Sequence, residues 1–296
     1  MTAQRPTSVA ETDTGSPDGA KGPKTSRAGR NLPAAIAVGA ALGGILIVIL
    51  VFAPKLWLVV LALAIPIASH EVTRRLREAG YAIPIVPLLI GGQAMLWLTW
   101  PYGAAGALGG FAATVVVCLI WRLVGHGLAE QPVNYLRDIS ATVFLATWVP
   151  LFASFGALLI YPHDGAARVF CLMLTVVCSD VGGYVAGVLF GKHLMVPAIS
   201  PKKSWEGLGG SLLFGVTASV LAVAFLLHKP AWVGVPLGLM LVITGALGDL
   251  VESQVKRDLG IKDMGTLLPG HGGLMDRIDA MLPSAVATWI VLTLLA

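Results

Sequence analysis

Long apolar runs alternate along this chain with short interruptions that are polar, charged or rich in glycine. Stretches dominated by Leu, Val, Ala and Ile cover roughly 32–52, 55–70, 81–100, 104–124, 139–161, 167–190, 207–227, 231–251 and 279–296. An α-helix needs about 20 apolar residues to cross some 30 Å of hydrocarbon, so the pattern predicts about nine transmembrane helices. A transmembrane barrel would instead show alternating segments of about ten residues, and these runs are continuous rather than alternating. The predicted fold class is all-α, a polytopic integral membrane protein. Composition agrees, since 56% of residues are hydrophobic and the mean hydropathy is +0.81, which makes lipid the solvent for most of the chain.

Charge orients the spans, because cytoplasmic loops retain Lys and Arg. With the N-terminus inside, seventeen basic residues fall on the cytoplasmic side: Arg5, Lys21, Lys24, Arg27, Arg30, Arg74, Arg75, Arg77, Arg122, Arg137, Lys192, Lys202, Lys203, Lys256, Arg257, Lys262 and Arg277. Only Lys55, Arg168 and Lys229 fall outside. A wrong span count would invert the later loops and spoil this division, so it supports nine spans and an external C-terminus. The net charge of +4 reflects that bias rather than nucleic-acid binding. Residues 1–30 hold too little apolar surface to offset the entropy of folding and read as a disordered cytoplasmic tail. Residues 31–296 form the membrane domain, and the first span reads as a retained anchor rather than a cleaved signal. Cys118, Cys171 and Cys178 lie inside predicted spans without metal-ligand spacing, as packing residues that form no disulfide.

Charge is scarce, at 12% of residues, yet Lys256, Arg257, Asp258, Lys262, Asp263, Asp276, Arg277 and Asp279 crowd into residues 253–279. Asp249, Glu252, Ser253 and Lys256 repeat at helical spacing and share one face. A carboxylate at a span end is costly unless paired or metal-bound, and Gly245 and Gly248 clear space beside that face. Asp276 and Asp279 follow one turn apart at the start of the last span. The Pro269-Gly-His-Gly-Gly273 loop before them is suited to offering backbone N–H groups to phosphate oxygens. Asp249 and Asp276 converging from two span ends would make an oxygen site for Mg2+, which is commonly held by one or two carboxylates together with substrate phosphates.

Two further stretches belong with this cluster. In Ile199-Ser-Pro-Lys-Lys-Ser-Trp-Glu-Gly207, Ser200 or Ser204 is placed to cap the next helix, and Lys202 and Lys203 stand where an anionic substrate would meet it. Asp180 sits within an apolar run whose Gly183, Gly187 and Gly191 form a ladder for close helix packing. Packing accounts for the glycines but not the aspartate, whose depth points to a polar cavity. Asp164-Gly-Ala-Ala-Arg168 is similar to the start of the CDP-alcohol phosphotransferase motif, but Tyr161 replaces its upstream Asp and the later spacing fails. A transporter using intramembrane carboxylates is the competing class. It predicts midplane charges and an internal repeat, whereas these charges collect at span ends and no strong repeat is present.

The C-terminal run resembles the signature of the phosphatidate cytidylyltransferases, Ser-x-x-Lys-Arg-x4-Lys-Asp followed by Pro-x-His-Gly-Gly-x-x-Asp-Arg-x-Asp. Ser253, Lys256, Arg257, Lys262, Asp263, Pro269, His271, Gly272, Gly273, Asp276, Arg277 and Asp279 carry it here. With the Ser-Pro-Lys-Lys-Ser loop and the stretch after Asp180, the resemblance covers roughly 175–280, the expected catalytic region. It implies an enzyme that condenses CTP with phosphatidic acid into CDP-diacylglycerol and pyrophosphate as a homodimer, and the division of basic residues puts its active site on the cytoplasmic side of the cell membrane. Asp249 and Asp276 would hold Mg2+, with a second, monovalent cation such as K+ beside it. Lys256, Arg257, Lys262 and Arg277 would gather phosphates, assisted by Lys202 and Lys203. Ser200, Ser204, Asp263, Gly272, Gly273, Asp279 and Asp180 complete the expected substrate site, and His271 is a catalytic candidate without an assigned role.

Overall fold

Hydrocarbon offers no partner to an open backbone, so each apolar run closes its own hydrogen bonds as a helix. The computed structural model describes residues 32–125, 128, 131, 133–267 and 272–296. In chain order the helices are α1 (Leu32–Phe52), α2 (Leu56–Glu78), α3 (Ile85–Gly125), α4 (Tyr135–Ala146), α5 (Phe152–Leu158), α6 (Gly165–Phe190), α7 (Trp205–Phe225), α8 (Gly234–Asp258), α9 (Met275–Ile278) and α10 (Met281–Leu295). Among the described residues, seven helical segments are long and apolar enough to cross a membrane. Their outward faces are apolar too, with Ile90, Leu213 and Phe225 exposed by 66%, 67% and 71%. The protein is therefore an all-α integral membrane protein.

One of the seven segments is not a single rod. A straight helix would set Gly91 and Thr114 about 35 Å apart at 1.5 Å per residue, yet the two touch so closely that Gly91 has no room for a side chain. A Cβ on Gly110 would likewise lie 3.1 Å from the Cα of Met95. The chain turns back at Gly103, whose φ of 58° and ψ of −141° are open to glycine but strained for other residues. Helix α3 is thus a hairpin of the two apolar runs at 81–100 and 104–124. Conversely, α4 and α5 make one span, Tyr135–Leu158, joined by a widened π turn over Thr147–Leu151. Pro150 lies in that turn and has no N–H to give to a regular helix.

Two elements depart from the sequence reading. Helix α2 continues past the predicted limit at 70 to Glu78, because its last turns are too polar to register as a membrane run. The stretch before α7, expected as a loop, contains a short antiparallel hairpin of β1 (Leu194–Val196) and β2 (Ser200–Ser204). Ser-Pro-Lys-Lys-Ser shows no apolar alternation, so the sequence carries no strand signal there.

Helices α6 and α7 pack more extensively than any other pair. Gly182 and Gly210 explain how, since a Cβ on either would strike the backbone or side chains of the facing helix. Helix α8 stops at Asp258 in a Schellman turn: Gly260 N–H donates to Arg257 C=O at 3.1 Å and Ile261 N–H to Lys256 C=O at 2.9 Å. Gly260 takes φ 66° to close it. The C-terminal ends of α2 and α8 meet the N-terminal end of α9 at one end of the bundle, where the β hairpin also contacts α8.

Candidate active site

A groove of about 350 Å³ opens between α6, the β hairpin, α7 and α8. Ser179, Asp180 and Gly183 line it from α6, Lys202 and Lys203 from β2, Gly207 and Ser211 from α7, and Gly245 and Asp249 from α8. Its volume falls in the range of small-molecule sites, and Asp180 lines it together with Lys203 and Asp249. The hairpin is pinned to the first turn of α7. Ser204 accepts from Gly207 N–H at 3.1 Å as the helix cap, and Trp205 N–H donates to His193 C=O at 3.0 Å. His193 Nδ1 lies 2.6 Å from Glu206 Oε1. Ser200 opens β2 and is not a cap.

This anchoring delivers two lysines to different places. Lys203 Nζ stands 2.7 Å from Asp249 Oδ2 and is partly buried, while Lys202 is exposed at the groove edge. Lys202→Ala is therefore expected to raise the apparent KM for an anionic substrate several-fold with little change in kcat. Lys203→Ala should lower kcat as well, because it leaves Asp249 without its cation. Saturation kinetics on both variants check this, and equal effects would remove the distinction.

Behind the groove lies an acidic group. One oxygen each from Asp249, Glu252 and Asp279 lies within 4.8 Å of the others. Gly248 makes this possible: a Cβ there would stand 2.5 Å from the carbonyl oxygen of Asp279, so only glycine lets the two backbones approach. Glu252 is almost fully buried, and its Oε1 has no hydrogen-bond partner among the described residues. Its Oε2 pairs with Lys256, whose Nζ also lies 3.0 Å from Asp276 Oδ1.

Asp276 faces a different set of partners. Its Oδ2 accepts from Gly273 N–H at 2.7 Å and from Met264 N–H at 3.0 Å, and its Oδ1 accepts from Met264 N–H at 3.1 Å. The next two amides, Leu274 and Met275, donate to Glu71 of α2 at 3.1 and 2.9 Å. The three N–H groups at 273–275 are thus occupied by protein carboxylates. Gly272 takes φ 84° beside Asp276 and Asp263, and a Cβ there would lie 2.9 Å from Asp276 Oδ2 and 3.4 Å from Asp263 Oδ1.

The remaining candidates surround this centre. Ser253 Oγ is 3.3 Å from Asp249 Oδ1, and Arg257 Nε reaches the carbonyl of Ile199 at 3.4 Å. Lys262 and Arg277 are exposed. Pro269 and His271 lie outside the described residues, as does the tail 1–30. Two carboxyl groups absent from the expected set stand among these residues, Glu252 and Glu71. Glu252 had a legible signal, its place on the face of Asp249 and Lys256. Glu71 had none, because its partners are about two hundred residues away.

Fold and site together define a polytopic helical membrane protein with an acidic, lysine-flanked groove at one end of its bundle. The chain belongs to the cytidylyltransferase family, whose sequence model matches residues 33–295. A phosphatidate cytidylyltransferase of Mycobacterium leprae is 68% identical over 282 residues, covering 92% of this chain and 90% of the relative. One from Mycobacterium tuberculosis is 65% identical, covering 92% and 85%. A more distant phosphatidate cytidylyltransferase of Staphylococcus haemolyticus is 29% identical, covering 67% and 75%.

Proposed function

We propose that this chain transfers the cytidylyl group of CTP to phosphatidic acid, forming CDP-diacylglycerol and releasing pyrophosphate. A phosphate oxygen of the lipid attacks the α-phosphorus of CTP, and the bond from that phosphorus to the β-phosphate's bridging oxygen breaks. The observation that carries this reading is the groove itself. Lysines and carboxylates meet where the ends of membrane helices converge, so a water-soluble triphosphate can meet a phosphate on a lipid held in the bilayer. High identity to phosphatidate cytidylyltransferases over nine-tenths of the chain supports it. The experiment is an assay of CTP-dependent pyrophosphate release by the purified full chain, with and without phosphatidic acid, with the lipid product identified. Release that ignores the lipid, or no release, would overturn it.

The donor set suits Mg2+. Ligands of one Mg2+ at about 2.1 Å lie no more than about 4.2 Å apart, so the oxygens of Asp249, Glu252 and Asp279, within 4.8 Å, need only close slightly. The Oε1 of Glu252, buried and without a partner among the described residues, fits a cation ligand. We place the metal on Asp249 with these two neighbours. Asp276, also expected as a ligand, would act beside them by holding Lys256 and the loop, and would reach the metal only by releasing those partners. Bound there, Mg2+ would supply positive charge against the triphosphate. Lys203 and Lys256 add to that charge from the protein side, while Lys202 and Arg257 at the rim attract the nucleotide. Reaction between two anions is largely a matter of such screening and positioning.

The same reading extends to topology. With the α3 hairpin counted as two passes and α1 as one, the helices make nine crossings, the N-terminus and the groove lie on the cytoplasmic side of the cell membrane, and the enzyme works as a homodimer. A topology reporter fused after Ala296 is expected outside the cell. Finding it in the cytoplasm would mean an even number of crossings and would sink this topology.

A further inference from the structure

Glu71 belongs to α2, in the half of the chain that carries no part of the signature, yet it is buried against the signature segment. Its two side-chain oxygens accept from Leu274 N–H at 3.1 Å and Met275 N–H at 2.9 Å, donors 203 and 204 residues further along. One turn on, Arg75 Nε donates to the carbonyl of Met264 at 2.9 Å. Gly265 and Gly273 press on the same carboxyl group: a Cβ on Gly273 would stand 2.6 Å from Glu71 Oε2, and one on Gly265 would collide with Oε1. The two ends of the segment 265–273 are thus gathered onto Glu71 from one side. From the other, Asp276 gathers Met264 and Gly273.

We propose that Glu71 is a positioning residue for the reaction: by holding the amides of Leu274 and Met275, with Arg75 tethering Met264, it sets the register in which Asp276 and Asp279 meet Lys256, Glu252 and Asp249. The inference rests on the cytidylyltransferase reading. Its physical basis is that Asp276 and Asp279 lie on the short turn these amides begin. A shift of about 1 Å there is enough to cost on the order of a hundredfold in rate. A residue that merely filled space would lower the amount of folded protein without changing what each folded molecule does.

Glu71→Gln separates the two roles because it keeps the shape. One oxygen still accepts, but the other becomes an NH2 facing an N–H donor. In the purified full chain, kcat is expected to fall on the order of 30-fold, the loss of one or two hydrogen bonds to a charged acceptor. KM for CTP and for phosphatidic acid should stay within about threefold. Hydrogen exchange at the amides of 273–275 should accelerate, and Glu71→Asp, which keeps both acceptors, should recover part of kcat. Wild-type kcat, or unchanged exchange, in Glu71→Gln would overturn the proposal, as would a loss confined to KM. If Glu71→Gln does not accumulate as folded protein, Gly265→Ala carries the test, since its methyl displaces the same carboxyl group. It should lower kcat comparably, and full activity would be fatal to the idea. A wild-type chain that forms no CDP-diacylglycerol would defeat the functional reading instead, while the exchange comparison would still report on the clamp.

Discussion

Asp249→Asn is expected to lower CDP-diacylglycerol formation by on the order of a thousandfold or more, while the protein still inserts and purifies normally. Asp249 stands where the groove meets the acidic group, with Lys203 on one side and Glu252 and Asp279 on the other. Asparagine keeps the shape and one acceptor oxygen, so packing is preserved. The formal charge that would anchor the metal is lost, and a thousandfold corresponds to about 4 kcal/mol of transition-state stabilisation. Removing the charge also breaks the ion pair with Lys203. The diagnostic measurement is a Mg2+ titration. The half-saturating concentration should rise steeply, and a variant that retained wild-type activity at saturating Mg2+ would exclude Asp249 as a ligand.

Asp276→Asn should be nearly as damaging for a different reason, with activity falling by on the order of a hundredfold or more. The carboxylate accepts from Lys256 and from the N–H groups of Gly273 and Met264, so all its partners are donors. An amide would turn one donor against another, and a charge-assisted bond to Lys256 would become a neutral one. Lys256 keeps its pair with Glu252, so the cost falls on the backbone donors left facing an amide, about 1–3 kcal/mol for a buried group without its partner. A lower melting temperature in detergent should therefore accompany the lost activity. The Mg2+ titration distinguishes the two aspartates. If Asp276 acts through the loop and Lys256, the maximal rate falls at every Mg2+ concentration with the half-saturation point little moved. A large shift in that point would instead make Asp276 a direct ligand.

Much of the architecture was legible in one dimension. Each apolar run appears as a helix, and the α3 hairpin turns back at Gly103, between the runs at 81–100 and 104–124. Two serines were legible as cap candidates, of which Ser204 is the one that caps. The ladder Gly183, Gly187 and Gly191 marked α6 for close packing, although its partner helix and the tightest contacts, at Gly182 and Gly210, were not legible. The density of charge in residues 253–279 marked the stretch that supplies Lys256, Asp276 and Asp279 to the candidate site. The end of α2 was missed, since polarity marks where a span leaves the hydrocarbon and not where its helix stops.

The sequence by itself determined the solvent, the helices and the set of residues from which a site could be built, because hydrophobic length and helical spacing are local properties. It could not say which carboxyl group faces which cation. Asp249, Asp276 and Asp279 are chemically alike, and their roles part only when Gly248 admits the backbone of Asp279 beside Glu252 and when Lys256 stands between Glu252 and Asp276. The position of Glu71 was decided in the same way, by folding alone. Its partners are bare backbone amides about two hundred residues away, and a backbone amide has no side chain by which a sequence could announce it.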